Sequence, residues 1–191
     1  MINGWYHMKD KTSTKDLSLT SNERIFLEVK SIFRPKKYKN FNPQGLKIYT
    51  FNSGFKKKYK DLLIIIFDNL VNNYCVYSKT STPSAPILWD KKYNRGKSKA
   101  LIVNSGNANA HTGKEGLNII ENYVKKLSKI IKCKKNEILV SSTGVIGEIF
   151  NPNKINSQID KLHIHKATDI LDAAKTIMTT DTFPKVSLKK I

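Results

Sequence analysis

The chain has 191 residues and a formal charge of +19 at pH 7, long enough for one domain with a sizeable core. Only Arg24, Arg34 and Arg95 carry the guanidinium fork that reads guanine and clamps phosphate; the other cations are lysines spread along the sequence, so salt-sensitive sticking to polyanions is expected but no specific nucleic-acid partner. Cys75 and Cys133 have no Cys-x-x-Cys spacing, so neither a zinc site nor a disulfide framework is indicated, and no run approaches the ~20 apolar residues of a membrane span, so the reading is a metal-free cytoplasmic protein with no membrane partner.

Residues 1–39 read as a basic extension, partly disordered. They hold the polar, charged run Lys9–Lys15 and a short apolar group, Ile25, Phe26, Leu27 and Val29, without the apolar core of a signal peptide. Residues 40–191 read as one domain. Leu46–Thr50, Leu62–Phe67 and Tyr74–Ser78 are short, β-branched or aromatic, and bounded by turn formers, which predicts three strands. Leu62–Phe67 is apolar without alternation, as in a strand covered on both faces. The lysine cluster Lys56–Lys60 between the first two strands reads as a solvated hairpin tip. Thr82–Pro86, with two prolines in five residues, reads as a loop, and Trp89 as a packed side chain.

From Ala100 to Gly147 the pattern is strand, turn, helix, strand, turn. Ala100–Val103 opens into the turn formers Asn104-Ser105-Gly106-Asn107. Thr112 followed by Glu115 predicts a capping box. Leu117, Ile120, Val124, Leu127 and Ile131 then step by three and four along one helical face, with Lys132, Lys134 and Lys135 at its carboxyl end. Glu137–Val140 is a second short strand running into Ser141-Ser142-Thr143-Gly144. Hydroxyls and amides beside a glycine suit either an ordinary turn or a pair of donors aimed at the oxyanion of an acyl-transfer intermediate. Beyond it, Asn151-Pro152 starts a helix whose buried face is Ile155, Ile159 and Leu162. A further helix over about Thr168–Met178, with Ile170, Ala173, Ala174 and Ile177 on one side, delivers Thr179 just past its end. His163 and His165, two apart, make a poor ligand pair on a helix. The fold class is α/β, with mixed sheets covered by helices.

Three segments carry a resemblance. Val103–Gly113 (VNSGNANAHTG), Ser142–Gly147 (STGVIG) and Ile177–Lys185 (IMTTDTFPK) are similar, in order and spacing, to three signatures of the ornithine acetyltransferase (glutamate N-acetyltransferase) family of arginine biosynthesis. Weaker similarity runs back through Ser84–Trp89 to about Gly45. The resemblance implies the fold of these transferases and their aminopeptidase relatives, while the Asn-Ser-Gly-Asn-Ala-Asn and Met-Thr-Thr-Asp-Thr signatures point to the transferase branch. It implies acetyl transfer from N2-acetylornithine to glutamate through a threonine acetyl-enzyme, without a cofactor, acetyl-CoA serving some members as donor. Thr143 and Gly144 match the family's oxyanion-hole pair and Thr179 its substrate-binding threonine, whose bland alternative is capping the loop after the helix. His111 stands where relatives commonly carry cysteine and reads as a tolerated loop residue. Family precursors cut themselves before an internal threonine that becomes the nucleophile. No such junction lies beside Thr180 or Thr182, so the nucleophile is absent from this chain, which resembles most of the amino-terminal (alpha) part. The implied partner is the beta part of the same precursor, in an alpha2beta2 heterotetramer, and the chain alone is expected to be inactive. The other reading is a basic binding protein on the same fold, without catalysis.

Overall fold

The structure, a computed structural model, describes residues 43–187. The expected extension over residues 1–39 lies outside the described residues. Strands β1 (Leu46–Phe51), β2 (Leu62–Asn72), β3 (Lys97–Asn107) and β4 (Ile138–Val145) form a four-stranded sheet in chain order. The first two junctions are antiparallel. β3 and β4 run parallel because helix α2 (Gly113–Ile130) carries the chain back between them.

The apolar run in β2 is covered on both faces. Leu62 and Ile64 point with Ile102 and Val140 into a core shared with helices α1 (Ala85–Tyr93), α2 and α3 (Asn153–Ile159), where Trp89, Ile120, Tyr123, Leu127 and Ile155 are buried. Leu63 points the other way, with Ile48, against Ala173 of helix α4 (Ile170–Ile177). The expected face of α2 is present: Ile120, Val124 and Leu127 are fully buried, with Leu117 and Ile131 partly buried beside them. Among the described residues no helix is long and apolar enough to cross a membrane, and no group of three metal-ligating side chains gathers.

Several local expectations are corrected. Tyr74–Ser78 is not a strand. The Asn73 amide donates to the Gly96 carbonyl at 2.9 Å, and its side chain donates to Ser98 and Asn94, which draws the chain off the sheet after Asn72. Pro86 does not keep its segment out of a helix; it sits in the first turn of α1, where its missing N–H has no intrahelical partner to lose. The capping box at Thr112 does not form, since its hydroxyl donates to Asn109 Oδ1 at 2.7 Å and so turns away from the helix amides. α3 begins at Asn153 with Pro152 as its cap, and Asn151 Oδ1 accepts from the Asn153 amide at 2.9 Å. On α4 it is Thr176 that is buried with Ala173, while Ile177 is 42% exposed.

Candidate active site at the carboxyl ends of the parallel strands

The largest departure from the expected turns falls on the two signature loops. Asn104–Asn107 and Ser141–Val145 are both strand, and the parallel ladder runs on through Ser105–Thr143 and Gly106–Gly144. Turn-forming residues stay extended here because neighbours on the sheet satisfy them. Asn104 accepts from the Ser142 hydroxyl at 2.6 Å and donates to the Asn107 carbonyl at 2.8 Å. The carboxyl ends of parallel strands are where α/β sheets usually bind ligands.

Only glycine fits where the two strands meet. Gly144 has φ +132°, and a Cβ there would lie 2.3 Å from the Gly106 carbonyl carbon and 2.6 Å from the Asn107 nitrogen. A Cβ on Gly106 would in turn meet Phe55 at 2.9 Å. The result is a stack of the Phe55 loop, the end of β3 and the end of β4. Thr143 is partly buried, on the strand end that faces the Ser105 ladder position. Gly144 is exposed.

The asparagines of the first signature are structural, a role their spacing did not reveal. Asn107 accepts from the Asn109 amide at 2.8 Å and donates to the Glu148 carbonyl at 2.9 Å. Asn109, fully buried, donates to the Gly116 carbonyl at 3.1 Å and accepts from Thr112. Backbone bonds from Ala108 to Val145 (2.8 Å) and from Gly147 to Ala110 (2.9 Å) tie this loop to the second signature. The Thr143–Gly147 segment is thus held along its length by the 104–112 loop.

The third signature joins the same strand end through its helix. Ser105, fully buried and beside Thr143 in the ladder, donates its hydroxyl to the Thr176 carbonyl at 2.5 Å. Thr179 follows three residues on and is exposed, with its amide directed to the Asp181 carboxylate. A hydrogen bond from Lys185 is the main reason that the Asp181 carboxyl titrates below its usual range. Lys56, expected at a solvated tip, is instead half-buried, and its ammonium donates to the carbonyls of Thr176 (3.2 Å) and Met178. Burial lowers its pKa against the opposing pull of Asp61.

The remaining candidates lie elsewhere. His165 stacks on Phe51 at 4.3 Å and sits 3.2 Å from the Thr50 carbonyl, whereas His163 is exposed. His111, at φ +55°, lines a hollow of about 430 Å3 with Thr82, Leu88, Lys114 and Leu117, beside the start of α2 and not at Thr143. Cys75 and Cys133 are free thiols.

The ArgJ family model matches residues 47–191. The arginine biosynthesis bifunctional protein ArgJ of Bradyrhizobium diazoefficiens is 41% identical over 146 residues, covering 75% of this chain and 35% of the relative. Its namesake from Bartonella henselae is 36% identical over 167 residues, covering 86% and 41%. The chain therefore spans well under half the length of these curated relatives. Among solved structures, the Bacillus halodurans ArgJ chain superposes with TM-score 0.67 at 31% identity, covering 73% of this chain and 74% of that one. The ornithine acetyltransferase of Mycobacterium tuberculosis, solved in complex with ornithine, gives TM-score 0.67 at 25% identity, covering 73% and 78%. Sequence and fold agree with the three signatures: the chain belongs to the ArgJ family.

Proposed function

We propose that this chain is the alpha part of a glutamate N-acetyltransferase that moves acetyl from N2-acetylornithine to glutamate in arginine biosynthesis. The observation that carries this reading is the pairing of Thr143-Gly144 with Ser105-Gly106 at the carboxyl ends of two parallel strands, with Ser105 bound to the last turn of the helix that leads to Thr179. In the proposed reaction a threonine hydroxyl on the beta part attacks the acetyl carbonyl of acetylornithine. The Thr143 hydroxyl and the Gly144 amide stabilise the resulting oxyanion, which collapses to expel the ornithine amine and leave an acetyl ester. The amine of glutamate then attacks that ester, and the threonine leaves with its proton restored. Thr179 hydrogen-bonds the amino-acid substrate. In family members that take acetyl-CoA as donor, its thioester carbonyl would pass through the same oxyanion.

The two-polypeptide organisation has support in coverage: this chain accounts for 74% of the solved Bacillus chain but 35% of the curated Bradyrhizobium sequence. That contrast suits relatives whose sequence is divided between two chains, as autocatalytic cleavage would produce.

The test is complementation. The chain alone is expected to form no N-acetylglutamate from acetylornithine and glutamate. Co-expression with the carboxyl-terminal part of the Bradyrhizobium relative restores transfer, and Thr143→Ala in that complex lowers kcat by about 10²–10³. Turnover by the chain alone, or a complex indifferent to Thr143→Ala, overturns the reading. The charge of +19 favours a second one, a basic binding protein without catalysis. Nucleic-acid binding that persists at high salt, with no complementation, is its signature.

A further inference from the structure

Lys56 belongs to none of the three signatures, yet its side chain reaches the end of α4. Helix ends leave carbonyls unsatisfied and carry a partial negative charge, so a lysine there acts as both hydrogen-bond cap and counter-charge. Lys56 Nζ donates to the Thr176 carbonyl at 3.2 Å and to the Met178 carbonyl, which directly precedes Thr179. Ser105, at the carboxyl end of β3 on which the Lys56 loop sits, donates to the same Thr176 carbonyl at 2.5 Å.

The base of Lys56 is itself fixed. Asp61, fully buried, accepts from the amides of Ser53 (2.6 Å), Phe55 (2.7 Å) and Lys56 (2.9 Å), which sets the course of the loop between β1 and β2. Its carbonyl accepts from the Ser105 amide at 2.8 Å, and Phe55 packs on Gly106, so the loop is seated on the end of β3. The ammonium is half-buried, so its bonds to the two carbonyls are less screened by water than those of a surface lysine. The chain of contacts runs from Asp61 through Lys56 to Met178, and stops one residue short of Thr179.

We propose that Lys56 is a positioning residue for the proposed amino-acid substrate site: by clamping the last carbonyls of α4 it sets Thr179 and Thr180 against the ends of β3 and β4. The proposal rests on the transferase reading for its consequence in catalysis, but not for the clamp itself. Two measurements therefore separate them. In the chain alone, backbone 15N order parameters at Thr179 and Thr180 are expected near ~0.85 in the wild type and below ~0.6 in Lys56→Met. Lys56→Arg keeps a charged donor and restores them. Lys57→Met, next along the exposed loop, leaves them unchanged. Lys56→Gln, too short to span both carbonyls, stands in if Lys56→Met does not fold, and gives the same loss.

In the complemented complex, Lys56→Met raises KM for glutamate roughly tenfold while kcat stays within about threefold, the pattern of lost substrate binding and not of lost chemistry. Lys56→Arg recovers the KM. Order parameters unaffected by Lys56→Met overturn the clamp, and loosened loops with an unchanged KM overturn its role in substrate binding. Failure of the wild-type complex to transfer acetyl at all sinks the transferase reading and leaves the order parameters to decide on Lys56.

Discussion

The two faces of the sheet are built differently. Among the described residues, eighteen buried apolar residues join one cluster on the face covered by α1, α2 and α3, and three, Ile48, Leu63 and Ala173, lie on the α4 face. The thick face therefore holds most of the apolar burial that stabilises this fold. α4 depends more on polar contacts: Ser105 and Lys56 at its carboxyl end, and at its start the Thr168 amide on the Ile48 carbonyl at 2.8 Å. Segments with few buried apolar contacts open at lower free energy than the core. The apolar scaffold and the segment that leads to Thr179 thus sit on opposite sides of the same strands, and the proposed site gathers where β3 and β4 end.

Neighbouring residues of β2 give the sharpest test of this contrast. Ile64 is fully buried on the thick face, and Ile65 is partly buried on the thin one. Ile64→Ala is expected to cost about 2–5 kcal/mol in urea unfolding, and Ile65→Ala about 1 kcal/mol. Equal losses would mean that the α4 face is as tightly packed as the other.

Asp90 is the charged exception on the thick face. Its carboxylate, 7% exposed, accepts from the Val140 amide at 3.1 Å and so caps the outer edge of β4. Desolvation pushes its pKa up to about 7, although the Val140 bond pulls the other way. A raised pKa means that the folded chain holds the proton more tightly than the unfolded chain does. Stability from this group is therefore highest below about pH 4, falls as pH rises towards 7, and is flat above. The fall is up to about 4 kcal/mol for a shift of this size. Asp90→Asn keeps the acceptor for Val140 and abolishes the titration, so stability measured from pH 4 to pH 8 should flatten relative to wild type. A parallel pair of curves would remove Asp90 as the cause.

The smallest effect is expected at the rim of the same face. Lys126 and Asp160 pair at 2.5 Å between α2 and α3, with Asp160 58% exposed. Solvent screens such a pair, and Asp160→Asn should change the unfolding free energy by less than about 1 kcal/mol. A larger loss would show the ion pair joining the two helices more firmly than their apolar contacts do.

Much of the thick face was legible in advance. The period of Leu117, Ile120, Val124 and Leu127 described α2, and the unbroken run Leu62–Phe67 described a strand covered twice, because both patterns follow from local geometry alone. The family and the residues Thr143, Gly144 and Thr179 came from motif resemblance, which periodicity does not supply. Punctuation residues misled. Asn104–Asn107 and Ser141–Gly144 read as turns, yet they pair as strands, since hydrogen bonds from residues such as Ser142 override the local preference. Tyr74–Ser78 had the composition of a strand but no partner in the sheet.

By itself, then, the sequence determined the α/β class, the amphipathic faces and the family, since each depends on residues close together in the chain. Tertiary structure decided what the polar residues do. Asn107 and Asn109 became braces, Thr112 lost its capping role, and Lys56 met the end of a helix 120 residues further on. The reason is physical: an apolar side chain needs only a side to be buried on, whereas a hydrogen bond needs a named atom at about 3 Å, and only the folded chain brings that atom within reach.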